Sequence, residues 1–338
     1  MKKSALFLLG CVVLFACGNK KDIPDVSGIQ VQVPIERFDR DFFAIDTNNL
    51  AVSLPALRQR HPDFYGDFMQ QILGVSGADT NMATTVVVRQ FIHDYKPVYD
   101  ALQGKFKNTD KLQKELEQAF RFVKYYVPGY KPGKAILFTG PFDAPGVAST
   151  RSGLAIGLQL FAGSDFFAYR SGEVQQMFPD YISRRFAPEY ITANCMKAVV
   201  DDIYPDQSGG KPLVEQMVEK GKLWYLLDKF LPTTADSLKT GYTQHQLDWC
   251  KDYEGQIWSY IIKNEDLHSL SPQVIQTYIG EAPFTQGLSP EDSPGNIGQW
   301  IGWQIVKKFV SKNPDLTPEQ VMRTDAKKIL EEAKYKPK

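Results

Sequence analysis

The chain begins with two lysines, Lys2 and Lys3, then an apolar run over residues 5–16, and turns polar at Gly18-Asn19-Lys20-Lys21-Asp22. A short basic segment, an apolar core too short to span a bilayer stably and a small residue ahead of the polar stretch predict a signal peptide over residues 1–16 and an exported protein. Residues 18–28 are polar and punctuated, the composition of a short tether. From Ile29 the pattern changes to period two: Ile29, Val31, Val33 and Ile35 alternate with other residues, as in a half-buried strand. Residues 54–73 read as helical around Pro55, and 86–95 as a further helix-compatible segment. Asp110 can cap a helix with Leu112, Leu116, Phe120 and Val123 on one face, which Pro128-Gly129 ends. The middle is strand-like: 135–139 and 154–161 are apolar runs separated by Gly, Pro and Ser, read as adjacent antiparallel strands. Helical patterns then return over 181–204, 212–231 and 247–262. Pro188 inside the first of these demands a kink or a fresh start with proline in the first turn. Near the C-terminus Ile297, Trp300, Ile301, Ile305 and Phe309 form a helical stripe, and Gly298 and Gly302 leave room for close packing. Thr317-Pro318-Glu319-Gln320 is a capping box with proline at the first helical position.

Charge and composition narrow the function classes. Lys+Arg and Asp+Glu both number 39, and loss of Lys2 and Lys3 with a leader leaves a slight acid excess. Such a balance argues against a nucleic-acid partner, which needs a basic face for phosphate. Hydrophobic residues make up 43% of the chain and aromatics 12%, ample for a core, and no second run is long enough to cross a bilayer. Cys17 follows Leu14-Phe15-Ala16, where a thiol can be diacylated before cleavage and become the new N-terminus. Cys11 is a rival site, but cutting there leaves too short an apolar core. Several acyl chains on one cysteine make a lasting anchor, since each buried methylene contributes about 0.8 kcal/mol. Cys195 and Cys250 could pair in an oxidising compartment or remain buried thiols.

Catalytic motifs are scarce. The chain has no phosphate-cradling glycine loop, no Gly-x-Ser-x-Gly elbow and no Cys-x-x-Cys pair. Its four histidines, His61, His93, His245 and His268, include no pair four residues apart. Ser152 reads as a turn serine, and Asp201-Asp202 and Glu291-Asp292 as solvated charges rather than cation ligands.

A set of short motifs carries a resemblance. Ile35-Glu36-Arg37-Phe38-Asp39, His61-Pro62-Asp63-Phe64-Tyr65, Tyr126-Val127-Pro128-Gly129-Tyr130, Ile156-Gly157-Leu158, residues 294–303 and Asp325-Ala326-Lys327-Lys328-Ile329-Leu330 together resemble the GldB family of gliding-motility lipoproteins. The resemblance implies an outer-membrane lipoprotein needed for surface gliding and associated with adhesin export. Its expected partners are the membrane, through the lipid, and envelope motility or secretion proteins. Lys20 and Lys21, in place of an acidic cluster, favour the periplasmic side.

The same family is distantly similar to zincin peptidases. The expected fold is therefore α+β, mostly helical, with a small antiparallel or mixed sheet: residues 17–35 as tether and first strand, 36–338 as one zincin-like domain. A zincin needs His-Glu-x-x-His on a helix and a third ligand from the next. Here the stretch is Pro188-Glu189-Tyr190-Ile191-Thr192, and Lys220-Gly221 stands where the next helix carries Glu-Gly. Proline has no donor atom and lysine is cationic, so no metal or cofactor is expected. The residual cleft is expected around Glu189, Lys220, Arg184 and Arg185, with Lys220 pairing to Glu189. The leading expectation is a non-catalytic scaffold; the alternative is an envelope hydrolase using Glu189, and a third reading lines a ligand site with Tyr125, Tyr126, Tyr130 and Trp303.

Overall fold

A computed structural model describes residues 23–75 and 81–337. The signal peptide, Cys17 and the first part of the tether lie outside the described residues. Four strands form one mixed sheet: β1 (Ile35–Glu36), β2 (Lys134–Phe138), β3 (Val147–Thr150) and β4 (Gly153–Gly157), in the order β1-β2-β4-β3. Helices surround it: α1 (Phe38–Phe43), α2 (Leu50–Arg60), α3 (Met82–Lys105), α4 (Asp110–Tyr126), α5 (Ile191–Ile203), α6 (Leu213–Phe230), α7 (Ile297–Lys312) and α8 (Ala326–Ala333), with shorter helices between. The chain is thus α+β and mostly helical, as expected.

The expected antiparallel pairing of the two apolar runs is corrected. β2 and β4 are parallel neighbours, and the antiparallel partner of β4 is β3, joined to it by the turn at Arg151-Ser152. The sheet is apolar on both faces, which hid its topology. Ala135, Leu137, Leu154 and Ile156 face one cluster, built mostly on α4, α5, α6 and α7, while Ile136, Phe138 and Ala155 face another. Strands buried on both sides read as continuous apolar runs, with no alternation to reveal direction. Gly153, at φ +143°, permits the tight start of β4, where a Cβ would lie 2.0 Å from the Lys134 carbonyl oxygen.

The smaller cluster is aromatic. Phe38 and Phe42 from α1 each stand 4.8 Å, centroid to centroid, from Phe68. Phe64 meets Phe138 of β2 at 5.6 Å, so the N-terminal helices are pinned to the sheet by edge and tilted ring contacts.

Other boundaries differ for local reasons. The period-two stretch 29–35 buries Val31 and Val33 as expected, but only Ile35–Glu36 joins the ladder. Pro34 has no N–H to give; its carbonyl instead accepts from Ala135 N at 2.9 Å. The helix expected over 54–73 ends at His61, because a residue before proline is pushed out of the α region, and resumes at Tyr65. Residues 181–204 break as expected, with Pro188 opening a 3₁₀ turn (Pro188–Tyr190) that leads into α5. The helix expected over 247–262 is two, Gln244–Asp252 and Glu254–Asn264, separated at Tyr253.

The closest approach in the larger core is between α6 and α7. A Cβ on Gly302 would lie 1.6 Å from the Met217 carbonyl oxygen, and one on Gly221 would lie 2.1 Å from the Gly302 carbonyl carbon. The two glycines let the backbones touch. Across the same pair, Asp228 of α6 accepts from Trp303 Nε1 at 3.0 Å and holds the ammonium of buried Lys239. Gly302→Ala is therefore expected to destabilise the protein by about 3 kcal/mol or more, since the helices must separate. Gly129→Ala, where a Cβ meets nothing within 4 Å, should change urea-unfolding stability by less than about 0.5 kcal/mol.

Candidate functional site

A cleft of ≈ 1370 Å³ lies beside α5 and α6. Its walls are Gly146 to Ser149 at the outer edge of the sheet, Asn194, Lys197, Ala198 and Asp201 of α5, the segment 202–207, and Glu219, Lys220, Lys222 and Leu223 of α6. Residues 322–325 close one end, and Leu160, Phe161 and Phe186 add apolar surface. The cleft exists because α5 packs on β3 and α6 while the chain leaves α5 through Pro205 to return to α6.

Most of the charge in this cleft is spent internally. Glu219 receives Lys211 at 2.7 Å and buried Lys222 at 3.0 Å, and Lys222 also donates to the Thr324 carbonyl at 2.6 Å. Lys220 Nζ sits 2.6 Å from Asp206 Oδ2, and Asp206 further accepts from Ser208 N at 3.0 Å and Ser208 Oγ at 2.9 Å. Desolvation pushes Asp206 up, but the Lys220 ammonium and the Ser208 bonds outweigh it and hold the carboxyl below its ordinary value.

The expected cleft residues are thereby separated. Lys220 lines the cleft, but its partner is Asp206 and not Glu189. Glu189 lies exposed on the 3₁₀ turn before α5, with no hydrogen bond or ion pair among the described residues. Arg184 donates to the Gly241 carbonyl at 2.7 Å, and Arg185 pairs with Glu281 at 3.0 Å. Neither arginine lines the cleft. Thr192 donates to Glu115 Oε2 at 3.1 Å, tying α5 to α4. No group of three His, Cys, Asp or Glu side chains able to hold a metal occurs among the described residues. Of the proposed aromatic lining, Trp303 is buried in the core and Tyr130 stacks on Phe120 at 5.9 Å; none of the four lines the cleft. Cys195 and Cys250 are free and buried, and burial pushes both thiols up.

One cleft residue carries a signal that sequence reading did not single out. Lys197, half-buried on α5, has no ion pair or hydrogen bond among the described residues, and burial with Arg185 nearby pushes its amine down to about 8. Its spacing from Asn194 and Asp201 put it on one helix face, but a lysine on a helix is most often a solvated charge.

The motifs at residues 35–39 and 61–65 meet on the far side of the sheet. His61, 3% exposed, places Nδ1 2.5 Å from Glu36 Oε1 and Nε2 2.8 Å from Asp41 Oδ2. Lys134 pairs with Glu36 at 2.6 Å and Asp63 at 3.1 Å. Buried Asp39 takes two bonds from Arg37, whose Nη1 donates to the Phe106 carbonyl at 2.7 Å. These side chains clamp β1, α1, the end of α2 and β2 together. The motif at 294–303 is likewise structural: Asn296, at φ +45°, starts α7 and accepts from buried Tyr242 Oη at 2.8 Å.

Fold and site thus define a mostly helical α+β protein whose sheet is enclosed between two helical layers beside an open, charge-lined cleft. The chain belongs to the family of the gliding motility protein GldB, a lipoprotein family, which matches residues 19–337. Comparison with curated proteins and with solved structures gives no match. Among the described residues no helix is long and apolar enough to cross a membrane.

The Lys220 assignment is testable. A double-mutant cycle on Lys220→Met and Asp206→Asn should give a coupling of about 0.2–1 kcal/mol, the range for exposed pairs, whereas Lys220→Met with Glu189→Gln should give none. Because the Asp206 carboxyl is held low in the folded state, its stabilisation is present at neutral pH and is lost as pH falls through that lowered value. The stability difference between wild type and Asp206→Asn should therefore shrink in acid titration monitored by circular dichroism.

Proposed function

We propose that this protein is a lipid-anchored component of the cell envelope, held in the outer membrane by acylated Cys17 and facing the periplasm. It acts as a non-catalytic scaffold in gliding motility and the associated export of surface adhesins. The observation that carries this reading is the family match across residues 19–337, beginning two residues after a cysteine placed for lipidation. The donor chemistry supports the non-catalytic part. Pro188, Thr192 and Lys220 stand at the three positions where zincins have ligands; Thr192 is committed to Glu115 and Lys220 to Asp206. The cleft volume of ≈ 1370 Å³ exceeds the roughly 300–1,000 Å³ of ordinary small-molecule sites, which suits a segment of a partner protein.

Cys17→Ala is expected to move the protein from the membrane to the soluble fraction while leaving its thermal unfolding unchanged. Firm membrane association of the variant would exclude the anchor. For the non-catalytic part, purified protein with added Zn²⁺ is expected to show no peptidase activity and no stoichiometric metal by elemental analysis; zinc-dependent cleavage lost in Glu189→Gln would overturn it.

A further inference from the structure

Lys197 is distinguished from the other cations of the cleft by what surrounds it. Lys211, Lys220 and Lys222 are each neutralised by Glu219 or Asp206, and Arg323 by Glu319 at 3.0 Å. Among the described residues Lys197 alone of these cleft cations has neither an ion pair nor a hydrogen bond. Asn194, one turn earlier on the same face of α5, also lines the cleft, and its side-chain amide makes no hydrogen bond among the described residues. An ammonium partly screened from water and without a counterion is a ready partner for an anion that enters the cleft.

The neighbourhood selects the anion. The charged groups felt by Lys197 are Arg185, already paired with Glu281, and Glu281 itself. On the same wall lie exposed Asp201 and Asp202, which repel a dianion. One ammonium and one amide N–H match the two oxygens of a single carboxylate. Leu160, Phe161, Phe186 and Leu223 line the same cavity and offer apolar surface to the body that carries the carboxylate.

We propose that Lys197 and Asn194 form a binding site for a single carboxylate on an apolar body, such as a small organic acid or a peptide C-terminus. Lys197 supplies the charge and Asn194 the second donor. This deepens the interaction role proposed above and rests on it only for the identity of the natural ligand.

The test uses the soluble protein lacking residues 1–22, reductively methylated with ¹³C-formaldehyde, so that each lysine gives a methyl resonance assigned by substitution. The probes are hexanoate, hexanol, hexyl phosphate, and an N-acetylated apolar hexapeptide as free acid and as amide. Binding is expected to move the Lys197 resonance and raise its pKa by about 1, as an opposite charge within contact distance does. Hexanoate, the peptide acid or both should do this, which identifies the source, whereas hexanol and the peptide amide should not. Asn194→Ala in the same titration, and Lys197→Met read by isothermal titration calorimetry with the same acids, should each weaken binding at least tenfold, with Lys197→Met melting no lower than wild type. A resonance unmoved by either acid at about 10 mM, some tenfold above a millimolar Kd, would overturn the proposal. So would equal response to hexanol, the amide or hexyl phosphate. Because the site is read in purified protein, loss of the envelope role alone would leave this result standing.

Discussion

The fold turns on the crossing of α6 and α7, where Gly221 and Gly302 remove the side chains that would otherwise keep the helices apart. Close-packed interiors tolerate little change in volume, so this contact sets where every neighbour must sit. It aligns Trp303 with Asp228, and Asp228 in turn holds Lys239, which neutralises a charge that could not be buried alone. It also presents the opposite side of α6, with Glu219, Lys220 and Lys222, to the cleft. The glycine at 221 is thus accounted for by packing.

The sheet is the second organising element. It is narrow, yet both faces are buried, so it couples the aromatic N-terminal cluster to the larger helical core. The Glu36, His61, Asp41 and Lys134 network sits at the join and fixes β1 against β2 with directional bonds, where a two-residue strand contributes little ladder of its own. An ionised carboxylate accepts only, and a neutral imidazole has a single N–H. A second proton, on the ring or on a carboxylate, is required for both His61 contacts to be hydrogen bonds.

In the cleft the dominant fact is neutralisation. Three lysines and two acids are paired across short distances, which leaves the wall polar in composition but nearly balanced in charge. Lys197 stands apart from that pairing, with no ion pair among the described residues.

Local patterns in the chain specified much of this. Residues 110–126, 297–312 and the Thr317 capping box were legible because helical period, caps and stop signals are short-range properties. The Gly298 and Gly302 spacing announced a close helix contact. Strand direction was not legible, because Ala135, Leu137, Leu154 and Ile156 look the same in parallel or antiparallel order when both faces are covered. Nor was the site: Lys220 and Asp206 are adjacent only after the chain turns between α5 and α6, and Lys197 becomes unusual only when folding buries it on the cleft wall, with Arg185 nearby. Propensity and capping act between near neighbours in sequence, whereas charge pairing and desolvation act between neighbours in space, which for this chain are set by how α5, α6 and α7 pack.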